Sequence, residues 1–134
     1  MVSVRNRGVG CRALGGERGA SSVEAAIILP ALLLVFFAIV HGAAFLHAGN
    51  IAQASAQAAY EEARLFDGTA AQGVAAGQAA GAASGGGLEN VAVTVDRGTE
   101  SVTVTVTGQA PMLIPGLPLD VTRTITGPVE RWSQ

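Results

Sequence analysis

Residues 25–46 read AAIILPALLLVFFAIVHGAAFL, 22 positions without a formal charge. As a helix this run is about 33 Å long, close to the hydrocarbon thickness of a bilayer. A helix that is apolar on every side needs lipid or a thick protein shell around it. The rest of the chain offers little shell: of 134 residues 18 are glycine, and only 4% are aromatic. A cleavable secretory signal also places an apolar run near an N-terminus, but its apolar region is about 7–15 residues, shorter than this one. The run is therefore read as a transmembrane segment. Pro30 falls in its first turns, where a missing amide hydrogen bond costs least, and His41 falls near its outer end, where interfacial water reaches.

Charge gives the segment a direction. Residues 1–19 form a basic leader in which Arg5, Arg7, Arg12 and Arg18 stand against Glu17, a balance of +3. Residues 20–134 carry four arginines against nine acids, a balance of −5. Arginines ahead of an apolar span hold that end in the cytoplasm. The expectation is a single-pass protein of the cytoplasmic membrane with its C-terminal region outside. No basic cluster remains on that outer part to suit a nucleic acid. Cys11, the single cysteine, lies in the leader, so the outer part has no disulfide. Val9-Gly10-Cys11 lacks the preceding hydrophobic stretch that a lipidation signal needs.

The junction of leader and span carries two readings. Ser21-Ser22-Val23-Glu24 fits a capping box, in which Ser21 caps the helix and Glu24 reaches back. That glutamate would also sit at the edge of the hydrocarbon, where an unpaired carboxylate costs a few kcal/mol. The order arginine leader, Gly19, a small residue, then Glu24 five positions after the glycine resembles the type IV prepilin processing signal. The resemblance implies cleavage between Gly19 and Ala20 by a prepilin peptidase. Ala20 would become the new N-terminus, and Glu24 would pair with the freed ammonium of a neighbouring subunit. Within the span, Ala38 and Gly42 have the small-xxx-small spacing that lets two membrane helices approach closely.

Beyond the span, HAGNIAQASAQAAYEEARLF contains strong helix formers and no proline, so one long helix is expected over residues 20–66. Asp67-Gly68 ends it, with Gly68 as a left-handed cap. Thr69-Ala70-Ala71-Gln72 is a second capping box and opens an Ala/Gly-rich helix or linker across residues 67–87. Gly73, Gly77, Gly81 and Gly85 recur every four residues and would line one helix face. Three uses remain open for that stripe: packing against the chain's own long helix, a flexible linker, or docking to a neighbouring subunit.

Residues 88–134 change to period two. Val91, Val93 and Val95, then Val102, Val104 and Val106, alternate with alanine or threonine around a turn at Asp96-Arg97-Gly98-Thr99-Glu100. With a third strand near residues 119–126 this predicts a small antiparallel sheet, a valine face on the second helix and a wet threonine face. The fold class is therefore α+β. Between strands two and three, Pro111, Pro115 and Pro118 break up an apolar stretch. It either closes the small core or forms an exposed patch for a partner subunit or the membrane surface.

Taken together, Arg18-Gly19-Ala20, Glu24, the run ILPALLLVFFAIV and the later Gln57-Ala58-Ala59-Tyr60-Glu61-Glu62-Ala63-Arg64 resemble the TadE-like family of tight-adherence (Flp-type) pilus assembly proteins. The last stretch is similar to that family's AAxEGAR pattern, with Glu62 where glycine is common. No tyrosine follows Glu24 as it does in the major Flp pilin, which favours a minor pseudopilin. The resemblance implies a structural role, with other pilin or pseudopilin subunits, the inner-membrane assembly platform and the lipid bilayer as partners. The alternatives are an uncleaved signal-anchored envelope protein that binds partners through its β region, and a domain released by signal peptidase. Nothing points to an enzyme, a cofactor, a metal or a small-molecule substrate. His41 and His47 are six apart and do not share a helix face, and no serine has a companion base outside the membrane.

Overall fold

The computed structural model describes residues 17–131. Residues 1–16, which hold Cys11 and most of the basic leader, lie outside the described residues. The elements are α1 (Glu17–Arg64), α2 (Ala70–Ala83), β1 (Glu89–Arg97), β2 (Ser101–Gln109) and β3 (Asp120–Pro128). The fold is α+β. The chain divides between Val35 and Phe36 into two units. The first contains the beginning of α1; the second contains the remainder of α1, α2 and the sheet.

Helix α1 runs through the leader junction. Its described part begins at Glu17, so Ser21 already lies inside the helix and is not its N-cap. Ser22 Oγ donates to the Gly19 carbonyl at 3.0 Å, a bond made within a helix. The helix start that a capping box at Ser21 and Glu24 needs is therefore not at Ser21, because the described residues ahead of it are already helical. Pro30 is likewise an interior residue of α1, not a first-turn one. Such prolines are tolerated in membrane helices.

The second unit is built on small residues. Along α1, Ala48, Ala52, Ala56, Ala59 and Ala63 are buried, together with Ile51 and Ser55. On α2 the buried positions are Gly73, Gly77 and Gly81. A β-carbon at Gly77 would lie 2.9 Å from Ala59 Cβ and 3.0 Å from Val93 Cγ1; one at Gly73 would lie 2.8 Å from Ala63 Cβ and 3.3 Å from Val95 Cγ2. The glycines are thus pressed between α1 and β1. Fully buried Ser55 donates its hydroxyl to the Gly77 carbonyl at 2.6 Å. Three glycines of the stripe pack within the chain, whereas Gly85 lies beyond α2 with φ +74°, and a β-carbon there would meet nothing within 4 Å. Helix α2 has Thr69 as N-cap: Gln72 N–H donates to Thr69 Oγ1 at 3.2 Å, and Thr69 N–H donates to Gln72 Oε1 at 2.9 Å.

The sheet has the order β1-β2-β3, antiparallel throughout. Val102, Val104, Val106 and Val121 are buried in one core with the α1 alanines. The other face carries threonines, with Thr103 and Thr126 hydroxyls 3.1 Å apart across β2 and β3. The second half of α1 also covers the sheet, so the valine face has a second helix over it that the period-two pattern does not reveal. The proline segment is split. Ala110 is buried and Leu119 partly buried against the core, while Met112, Leu113 and Leu117 are exposed.

The end of α1 differs most from expectation. The helix stops at Arg64, and Gly68 has no positive φ, so it is not a left-handed cap. A β-carbon at Gly68 would collide with the Glu62 carbonyl and lie 3.2 Å from that of Ala63, so glycine is required by close approach. The open carbonyls are met from across the fold. Arg97 Nε donates to Ala63 O at 2.7 Å, and its NH2 group donates to Leu65 O at 3.0 Å. Glu130 N–H donates to Arg64 O at 2.9 Å, Arg64 pairs with Glu130 at 2.8 Å, and Tyr60 Oη donates to Pro128 O at 3.3 Å. Arg97 is placed by the strand, which extends to it and leaves a turn of only residues 98–100.

Two substitutions test this packing in the detergent-solubilised full chain. Gly77→Ala gains about 1 kcal/mol of helix propensity but overfills a contact that costs about 1–3 kcal/mol, so denaturant unfolding is expected to shift to lower concentration. Arg97→Ala exposes or orphans helix-end carbonyls and is expected to cost about 1–3 kcal/mol in the same measurement. An unchanged midpoint for Gly77→Ala would show that α2 has room to move.

Candidate assembly site on the N-terminal helix

The residues singled out at the start of α1 are displayed, not enclosed. All described side chains of residues 21–35 are exposed. Ile27 is 69% and Leu34 is 72% exposed, and Ile39 in the second unit is 67% exposed. Burying such a side chain is worth about 1.5–3 kcal/mol, so a row of them in water is untenable for a monomer. Among the described residues α1 is the one helix long and apolar enough to cross a membrane, and none of its most apolar window is buried. That exposure separates it from the core helix of a soluble protein. Its length, apolarity and exposure are those of a membrane anchor.

Gly19 is exposed within the helix, and a β-carbon there would meet nothing within 4 Å. A helical glycine costs about 0.5–1 kcal/mol relative to alanine, so the fold gives no reason for it. The bond to Ala20 lies inside helical backbone. Glu24 is exposed on the same turns, in a shallow concavity lined by Ser21, Ala25, Ile28, Leu29 and Leu32. Among the described residues Glu24 has no ion-pair partner. A carboxylate set among apolar side chains is costly in a low-dielectric medium unless it is paired.

Ala38 and Gly42 are both exposed, and a β-carbon on Gly42 would also meet nothing within 4 Å. This contrasts with Gly73 and Gly77, whose missing side chains are accounted for inside the chain. His41, next to Gly42, does not reach interfacial water. It is 5% exposed, and neither ring nitrogen has a hydrogen-bond partner. His47 is exposed. Among the described residues no three His, Cys, Asp or Glu side chains come together as a metal site.

Residues 19–60 match the family model described as TadE-like protein. Over these residues the helix is similar to that family. The matched segment contains Gly19, Glu24, the apolar run and the alanine spine as far as Tyr60, and it stops short of α2 and the sheet. The TadE-like family is one of pilus structural and assembly proteins. Among curated proteins no match is found. No solved structure matches either. The sequence resemblance and the family match share residues 19–60, while Arg18 and Glu61-Glu62-Ala63-Arg64 of the resemblance lie outside the match. Arg97 and Gly49 became visible only in the fold. Gly49 is buried with the Arg123 guanidinium over it, where a β-carbon would lie 2.7 Å away. The one available signal for it was a glycine inside an otherwise alanine-rich helical stretch.

The difference between the two kinds of glycine is measurable. Gly42→Leu is expected to leave the thermal unfolding of the detergent-solubilised chain unchanged, while Gly77→Leu abolishes cooperative unfolding by circular dichroism. Equal losses would mean that Gly42 is also an intrachain contact.

Proposed function

We infer that the protein is a minor pseudopilin of a tight-adherence (Flp-type, type IVb-like) pilus. It is anchored in the cytoplasmic membrane by α1, with its basic end in the cytoplasm and its α2–sheet region outside. A prepilin peptidase cuts between Gly19 and Ala20, and the shortened chain joins other pilin or pseudopilin subunits and the inner-membrane assembly platform. The observation that carries this reading is the TadE-like match over residues 19–60, which begins at Gly19 and contains the exposed Glu24 ahead of an exposed apolar helix.

The chemistry is that of packing, not catalysis. After cleavage the ammonium of Ala20 is a new cation at the depth of Glu24 side chains. In a medium of low dielectric an unpaired carboxylate is costly, so pairing Glu24 of one subunit with the amino terminus of the next favours one register of helices over others. Ala38 and Gly42 offer a face without side-chain bulk for such helices to meet. Gly19, unneeded by the fold, suits a protease that draws the backbone close to its catalytic groups.

One feature favours a second reading. The Gly19–Ala20 bond lies in helical backbone, and a protease binds its substrate extended, so the helix must open there before any cut. An uncleaved, signal-anchored envelope protein that acts through its sheet region needs no such opening. N-terminal mass spectrometry of the membrane-extracted protein separates the two. A chain starting at Ala20 is expected; an intact leader in cells with an active prepilin peptidase sinks the pseudopilin reading. Glu24→Ala is expected to leave membrane insertion intact and to reduce co-purification with pilus components by at least about tenfold, the effect of losing one buried ion pair.

A further inference from the structure

Strand β3 runs beside α1 in the same direction, and three contacts give the register. Arg64 pairs with Glu130, Tyr60 Oη donates to the Pro128 carbonyl, and the Arg123 guanidinium covers Gly49. The step from Tyr60 back to Gly49 is about 16 Å of helix, and that from Pro128 back to Arg123 is about 17 Å of strand. Continuing at the same rate, the start of β3 and Leu119 come level with about position 40 or 41 of α1. Burial agrees with this. His41, Phe45 and Ala48 are covered at helical spacing on one face of α1, while Gly42, Ala43 and Leu46 are exposed. The sheet unit therefore overlaps the last turn and a half of the apolar run.

The loop of residues 110–119 leaves the sheet at this same end. Ala110 N–H donates to Leu119 O at 3.0 Å and closes the base of the loop. Beyond that base, Met112 is 54%, Leu113 42% and Leu117 48% exposed. The loop has no charged residue, so its tip carries nothing that requires water beyond its backbone. An apolar tip level with residues inside the membrane-spanning run has one environment of matching polarity beside it. We propose that this loop is a second membrane contact, with Met112, Leu113 and Leu117 dipping into the outer leaflet next to the anchor. The occupant is the lipid acyl region near the headgroups. The contact fixes the tilt and rotation of the sheet unit against the membrane plane, which one helix alone leaves free. The proposal rests on reading α1 as a membrane anchor.

The test uses the full chain with Trp132→Phe, so that an introduced tryptophan is the only one. Met112→Trp, Leu117→Trp, Leu34→Trp and Thr124→Trp are each reconstituted at low density into phosphatidylcholine vesicles with brominated acyl chains. The positions are exposed, so the fold tolerates the larger ring. Leu34→Trp and both loop variants are expected to lose comparable fluorescence, and Thr124→Trp, on the threonine face, to keep its emission. If Leu34→Trp is quenched and the loop variants are not, the loop inference fails while the anchor stands. If none is quenched, both fail. Loop emission that shifts to the blue only when subunits are crowded, without bromine quenching, overturns the proposal in favour of a protein partner.

Discussion

The spacing of three rows of side chains holds the second unit together. Glycines at every fourth position of α2 advance by about 6 Å, and valines at every second position of β1 advance by about 6.6 Å. The two rows therefore stay in step over three repeats: Gly73 meets Val95, Gly77 meets Val93 and Gly81 meets Val91. On its other flank the glycine row lies against Ala63, Ala59 and Ser55 of α1. Aromatic bulk is unnecessary because the backbones themselves approach closely. Dispersion at short range and one buried hydroxyl-to-carbonyl bond, from Ser55 to Gly77, replace the large side chains of an ordinary core.

The far end of the unit is closed by polar groups. Helix α1 ends with carbonyls that have no partner of their own, and Arg97 at the end of β1 and Glu130, two residues beyond β3, supply donors. Tyr60 and Arg64 reach in the opposite direction, to Pro128 and Glu130. The residues of the Tyr60-Glu61-Glu62-Ala63-Arg64 stretch thus join the helix that carries the TadE-like signature to the sheet that lies beyond it. The Arg64 guanidinium is held above its ordinary pKa, first by its hydrogen bond with Tyr60 and then by the charge of Glu130.

Periodicity and local chemistry made the elements legible. Thr69 and Gln72 announced a helix start that the structure reproduces, and alternating valines announced the strands within a few residues. What sequence concealed was what comes from afar. Gly68 has the position of a left-handed cap, yet its role is to leave space for carbonyls of α1, because Arg97 performs the capping from 34 residues away. Ser21 and Glu24 have the spelling of a capping box, but a box needs a helix that begins there. His41 looked water-facing on a helix seen alone and is covered once the sheet unit folds against it. At the N-terminal site the residue types were legible, while the exposure of every described side chain from 21 to 35 became visible only in the fold.

The alanine spine has a consequence for biogenesis. Its partners arrive late: Tyr60 and Arg64 wait for residues 68 and 66 positions further on. During synthesis, the second half of α1 is made first and stands uncovered until the last strand has followed. A spine of leucines would attract other emerging chains during that interval. Alanines hold a helix well by propensity while offering little sticky surface, so the segment can remain a lone helix until its sheet is delivered.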